Sequence, residues 1–251
     1  MPSVPQSPVS PAQTDGQERD GHPSRAARPP RRRLGGRIAL GVLAIAVTIF
    51  VSLSIPRYLA FNPKVGRISP DEQPWFFPVL MTHILGATVA MVGCVFQVWP
   101  WLRRRHPRVH RVVGRAYVVA GVWPAATAAV VISVLWGFGP VSALSDIVLA
   151  SLWFTVTTFG FVNARRGRYA EHRRWMLRSF TLTISIIFNR LLGFPIGMIL
   201  ANQLDTTFGG DKHALEQAVS ASVTWLPWTL AFIFIEWWLD REQRHTVRET
   251  A

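Results

Sequence analysis

Charged residues make up only 16% of the 251 residues, against about a quarter in soluble domains. Acids are scarcer still, 14 against 27 lysines and arginines. So little charge over so long a chain argues against an ordinary soluble globule. The single cysteine, Cys94, excludes a disulfide within the chain and leaves the redox compartment unread. It lies in an apolar run, where a thiol serves as a small packing residue. The long apolar runs do not alternate with polar residues, which argues against a membrane β-barrel. Also missing are a phosphate loop, the nucleophile elbow of serine hydrolases, an HExxH pair and a hydrolase-like carboxylate pair.

What the chain has instead is apolar length. Hydrophobic residues reach 49% and there are 11 tryptophans. Runs near 37–56, 75–101, 112–136, 143–163, 176–200 and 221–239 each approach or exceed the roughly 20 residues that cross a bilayer. The expected fold is all-α: a polytopic helical membrane protein with six transmembrane helices, each satisfying its own backbone hydrogen bonds. Residues 1–36, rich in Pro, Ser, Gln and Arg, read as a disordered basic arm. Residues 37–74 give the first helix and an outer loop, and 75–200 a four-helix core. Residues 201–239 add a second outer loop and the sixth helix, and 240–251 a tail. The run after "PRRRLGG" is long for a signal core, and no small-x-small cleavage site follows, so the first helix reads as an uncleaved anchor.

The basic charge gathers at alternate ends of these runs. Seven arginines lie at or before Arg37, six in 102–115, six in 164–178 and three in the tail. The other connections hold only Arg57, Lys64, Arg67 and Lys212, with Arg190 left inside a span. This bias predicts both termini in the cytoplasm and placement in a bacterial inner (plasma) membrane. The formal charge of +13 is clustered between apolar runs rather than spread over one face. It therefore points to a bilayer with anionic headgroups as partner, and no nucleic acid is expected. Oligomeric state is open.

The stretch "RRHPRVHR" at 104–111 has a counterpart, "RRGRYAEHR", at 165–173, and His110 and His172 are 62 residues apart, as are Arg111 and Arg173. Each stretch joins an inward-running helix to an outward-running one, so the middle four spans read as two similar hairpins in parallel repeat. His83 with Gly86, then "HRVVGRAY", then "HRRWMLRS" leading to Arg190, resembles the uncharacterised bacterial membrane proteins of the domain-of-unknown-function 2306 family. The resemblance covers about residues 75–200 and implies a helical membrane core. It brings no activity, substrate or catalytic residue with it.

Three polar residues fall inside spans. His83 lies eight residues past Trp75, about 12 Å into its helix. Arg190 lies twelve residues past Arg178, about 18 Å from the opposite surface of a core about 30 Å thick. Both thus sit at one depth, and Asp146 enters the fourth span within about 8 Å of the same face. A lone buried arginine is costly, so His83, Asp146 and Arg190 form a candidate polar cluster, with His83 its titratable member. On the second span His83, Gly86, Ala90, Gly93 and Gln97 share a helical face. Such a stripe admits either another helix or a flat ring. Thr183, Arg190, Gly193 and Gly197 form a similar stripe on the fifth span.

His110 and His172 are candidate axial ligands, because a bis-histidine haem takes one imidazole from each side; Gln97 is a further cofactor-binding candidate. No other metal ligands are expected. Glu236, near the inner surface, can reach water or an arginine, and Trp123-Pro124 is expected to kink the third span. Three functions remain open on these residues. One is a redox-linked subunit holding haem b or a quinone. Another is a proton-linked transporter of a small anionic solute, with "LLGFPIG" at 191–197 breaking the fifth helix. The last is a non-catalytic assembly or sensor protein.

Overall fold

A computed structural model describes residues 32–59, 74–135 and 139–250. Along the chain run α1 (Arg32–Ser54), α2 (Pro56–Leu59), α3 (Phe76–Val98), α4 (Pro100–Arg105) and α5 (Pro107–Arg115). A π-helical turn (Ala116–Val122) follows, then α6 (Trp123–Leu135), α7 (Pro140–Arg165), α8 (Tyr169–Ala201) and α9 (Lys212–Thr250). No strand occurs among the described residues. Six helical segments are long and apolar enough to cross a membrane, the third being α5, the π turn and α6 together. The protein is an all-α polytopic membrane protein. Most of the basic arm and the connection carrying Lys64 and Arg67 lie outside the described residues; α1 begins at Arg32, within the stretch read as arm.

Prolines set several of the helix starts. Pro100, Pro107 and Pro140 each occupy a first helical position, where the missing N–H costs nothing. The turn from α7 to α8 takes three residues, and Gly167 at its centre has φ +73°, a left-handed value that glycine adopts freely. Asp211 starts α9 by accepting the His213 and Ala214 N–H groups at Oδ1, at 2.8 and 3.1 Å.

Two prolines fall inside helices without breaking them. α8 runs unbroken through Pro195 and α9 through Pro227, so the "LLGFPIG" stretch is helix rather than an unwound segment. Pro124 acts differently. It has no N–H for the carbonyl four residues back, and the turn ahead of it widens: the Trp123 N–H reaches five residues back to the Val118 carbonyl. Where a kink was expected, the helix holds a π turn.

Lipid is as apolar as a leucine side chain, so helices in a bilayer associate through close packing and hydrogen bonds. The stripe on α3 shows how. A Cβ on Gly86 would meet the Gly121 carbonyl oxygen at 2.9 Å, and one on Gly121 would meet the Ala90 backbone nitrogen at 3.0 Å. Gly93 faces Tyr117, and Gln97 lies against Gly114. The body lying along this stripe is the third span, which fills it from end to end.

A core of Ala90, Cys94, Tyr117, Val118 and Val122 joins α3 to the third span. A second, around Val156, Leu182 and Trp228, joins α7, α8 and α9, and Trp153 packs against both. Polar contacts fasten α9 to its neighbours: Trp228 Nε1 donates to Ser145 Oγ at 3.0 Å, and Asn189 Nδ2 to the Val223 carbonyl at 3.0 Å. By contrast α1 buries little; Val47 is its one buried apolar residue among those described.

These contacts predict opposite outcomes for two glycines. Gly86→Ala pushes a methyl into backbone and should destabilise the protein by about 1–3 kcal/mol. Gly197→Ala meets nothing within 4 Å and should leave the thermal midpoint in detergent unchanged or slightly raised. Equal midpoints for the two variants would refute the close-contact account.

Candidate functional site

His83, Asp146 and Arg190, on α3, α7 and α8, line one cavity of about 390 Å³. It lies toward the end of the bundle away from the arginine-rich turns. Its other walls are mainly apolar, and come from α1, α2, α3, α6, α7, α8 and α9. Asn189, Trp153 and Trp228 also reach it, and Tyr58 of α2 closes one side.

The tautomer of His83 follows from its partner. Nδ1 lies 2.9 Å from the Ala125 carbonyl oxygen, an acceptor only, so Nδ1 carries the proton and donates. Nε2 is left with a lone pair for the cavity. Ala125 can serve because α3 and α6 approach so closely at Gly86. His83 and Asp146 are half-buried, while Arg190 is exposed yet contributes to the cavity wall. The site thus offers a neutral imidazole, a carboxyl and a guanidinium around an apolar space. Such a set can hold a carbonyl or anionic head and exchange a proton with it.

The two candidate haem ligands differ in their fixation. His172 Nδ1–H donates to the Gly160 carbonyl at 2.8 Å. That orients the ring, with Nε2 left for other partners, the arrangement ligating histidines use. His110 lies near His172, but its Nδ1 is buried with no hydrogen-bond partner among the described residues. Ligation through Nε2 would bury an unpaired N–H there, a penalty of about 1–3 kcal/mol. Gln97 is turned to packing: its Nε2 donates to the His110 backbone carbonyl at 2.9 Å, so the candidate cofactor contact is a clip between α3 and α5. The remaining histidines are scattered. His106 packs on the Trp101 ring, and His213 Nε2 accepts from Gln217. Among the described residues no three His, Cys, Asp or Glu side chains gather as a metal site.

A buried hydroxyl network adjoins the cavity and escaped the sequence reading. Tyr117 OH lies 2.6 Å from Ser179 Oγ and 2.7 Å from Thr183 Oγ1. Thr157 Oγ1 lies 2.6 Å from Ser179 Oγ, and Trp153 Nε1 donates to Thr183 Oγ1 at 3.0 Å. Each hydroxyl has one hydrogen; Thr157 and Thr183 donate theirs to the Trp153 and Ser179 carbonyls at 2.6 and 2.8 Å, so the Ser179 and Tyr117 hydrogens are shared among the three contacts between the side chains. Thr183 and Trp153 both belong to the cavity wall. Tyr117 and Ser179 are 62 residues apart, the spacing of His110 and His172, and that was the available signal.

Glu236, expected to find water or an arginine, accepts both Nε and Nη2 of Arg178, the latter at 2.8 Å. The Arg178 guanidinium also stacks 4.7 Å from the Trp175 ring centre, and Arg173 makes a two-point contact with Glu242 at 3.0 and 3.1 Å. These pairs bind α8 to α9 at the arginine-rich end.

The sequence family described as predicted membrane protein (DUF2306) matches residues 80–237. The chain belongs to this family. The matched region runs through α9 to Trp237, so it takes in the sixth span, which the resemblance read from motifs had left outside. All three cavity residues fall within it; α1 and α2 do not. No curated protein and no solved structure matches the chain.

Removing the Tyr117 hydroxyl takes one contact from Ser179 and one from Thr183, each of which keeps another partner. Tyr117→Phe should cost about 0.5–1.5 kcal/mol, read from reversible unfolding in mixed detergent. Combined with Ser179→Ala, the total should fall below the sum of the single losses; strict additivity would disprove the network.

Proposed function

We propose that this protein binds a small amphipathic molecule with a carbonyl or anionic head in the His83–Asp146–Arg190 cavity, as a redox-linked membrane subunit holding a quinone. The observation that carries this reading is the meeting of those three side chains in one mainly apolar cavity. Its volume of about 390 Å³ lies within the roughly 300–1,000 Å³ of small-molecule sites. The apolar walls suit a ring or chain that partitions from lipid. Arg190 and the Asn189 amide offer donors to a carbonyl oxygen or an anion, and His83 Nε2 can take up a proton as charge develops. Intramembrane ionisable groups are expensive, which favours a functional role for them.

Quinone is preferred to haem because His110 lacks the second contact that would fix it as a ligand. It is preferred to solute transport because α8 is continuous, whereas transport sites of this kind are commonly built from discontinuous helices. In the same reading the arginine-rich ends face the cytoplasm of a plasma membrane, and the cavity opens in the opposite half.

Trp153 and Trp228 in the cavity wall make the binding measurable. A short-chain benzoquinone added to the detergent-purified protein should quench tryptophan fluorescence saturably. Arg190→Leu and His83→Ala should each weaken its affinity about tenfold or more, since a charge-assisted contact is worth about 1.5–3 kcal/mol, and His172→Ala should leave it unchanged. Absence of saturation, or indifference to both cavity variants, would refute the proposal. A reduced-minus-oxidised haem spectrum that His172→Ala abolishes would replace it with the haem reading.

A further inference from the structure

The two arginine-rich turns carry related sequences but differ in charge balance. In the second, Arg168 faces Glu171 at 4.0 Å, Arg173 binds Glu242 at 3.0 Å and Arg178 binds Glu236. Arg244 of α9 pairs with Asp240 at 2.8 Å. Acids at this end of the bundle are thus engaged by α8 and α9. In the first turn Arg103, Arg104, Arg105, Arg108, Arg111 and Arg115 are all exposed, and none has a carboxylate partner among the described residues. The cause lies in the packing: α9 lies against α8 and α7 and brings Glu236 and Glu242 with it. Among the described residues no helix supplies acids to α4 and α5.

The groups acting on His110 have one sign. They are Arg103 and Arg111, and the buried Nδ1 of His110 stays unpartnered among the described residues. Trp99, Trp101, Val109 and Val112 are exposed between the arginines. A free anion would answer the charge and leave those four apolar side chains in water. The headgroup of a phospholipid answers both, because its phosphate meets guanidinium groups while its acyl chains cover tryptophan and valine. The turn is held in place for this: Gln97 clips the His110 carbonyl and packs on Gly114.

We propose that the first arginine-rich turn, with Arg103, Arg111 and His110 at its centre, is a binding site for the phosphate of an anionic phospholipid. The site is separate from the cavity and does not depend on its occupant. It also goes beyond the general attraction of basic loops to a charged surface, because it singles out one of two turns with similar sequences.

The full chain, placed in nanodiscs of equimolar phosphatidylglycerol and phosphatidylcholine and released for native mass spectrometry, should retain phosphatidylglycerol in preference. Arg103→Gln with Arg111→Gln, both exposed and so no threat to folding, should cut that retention about tenfold. Arg165→Gln with Arg174→Gln, in the second turn, should leave it as it was. Equal retention of both lipids would overturn the proposal, as would equal losses in the two double variants, which would reduce it to bulk charge. Displacement of the lipid by millimolar inorganic phosphate would overturn the choice of a lipid.

Discussion

The contact on which most of this structure depends is the approach of α3 to the third span at Gly86, Ala90 and Gly121, where backbone touches backbone. A bilayer offers no hydrophobic reward for bringing two apolar helices together. The approach must therefore supply its own attraction, and side chains as small as hydrogen and methyl let it do so. Other features follow from that closeness. The Ala125 carbonyl comes within reach of His83 and fixes its tautomer. Gln97 reaches the His110 carbonyl at the other end of the same stripe. Between them, the π turn presents Tyr117 to α8, where its hydroxyl meets Ser179 and Thr183.

The spans were legible because apolar runs of this length have few other structures open to them. That His83, Asp146 and Arg190 line one cavity follows a different signal: rise per residue places three polar groups at similar depth. The stripe on α3 could be read as a face but not for its occupant, since small residues admit a helix and a ring alike. Nothing in the sequence reported the continuity of α8 through Pro195, because the neighbouring helices that tolerate a lost hydrogen bond are not written beside the proline. Tyr117, Thr157 and Ser179 were missed because hydroxyls in an apolar run show no periodicity and matter only once their partners are in place. Arg178 and Glu236 lie 58 positions apart and become a pair only through the packing of α9.

The two hairpins have similar turns and differ in what holds them. The first is closed by backbone contact and leaves its arginines unanswered by carboxylates. In the second, the turn between α7 and α8 is short, His172 ties to Gly160, and α9 adds carboxylates and a serine-tryptophan clip. Seen this way the sixth span is the partner that the second hairpin has and the first lacks. The cavity lies where these unlike halves meet, with Trp153 packed against the cores of both.

The π turn bears on how the two hairpins compare in register. Its hydrogen bonds close over five residues instead of four, so the third span holds one residue more there than an unbroken α-helix would. Up to that point equivalent positions stand 62 apart, as Tyr117 and Ser179 do. Beyond Val122 a repeat in the same register would pair residues one position nearer. If a duplicated hairpin was the ancestor, a single-codon insertion in the first copy, or deletion in the second, separates the two. A gapless self-comparison would then fade past Val122 through lost register alone, however related the remaining halves are.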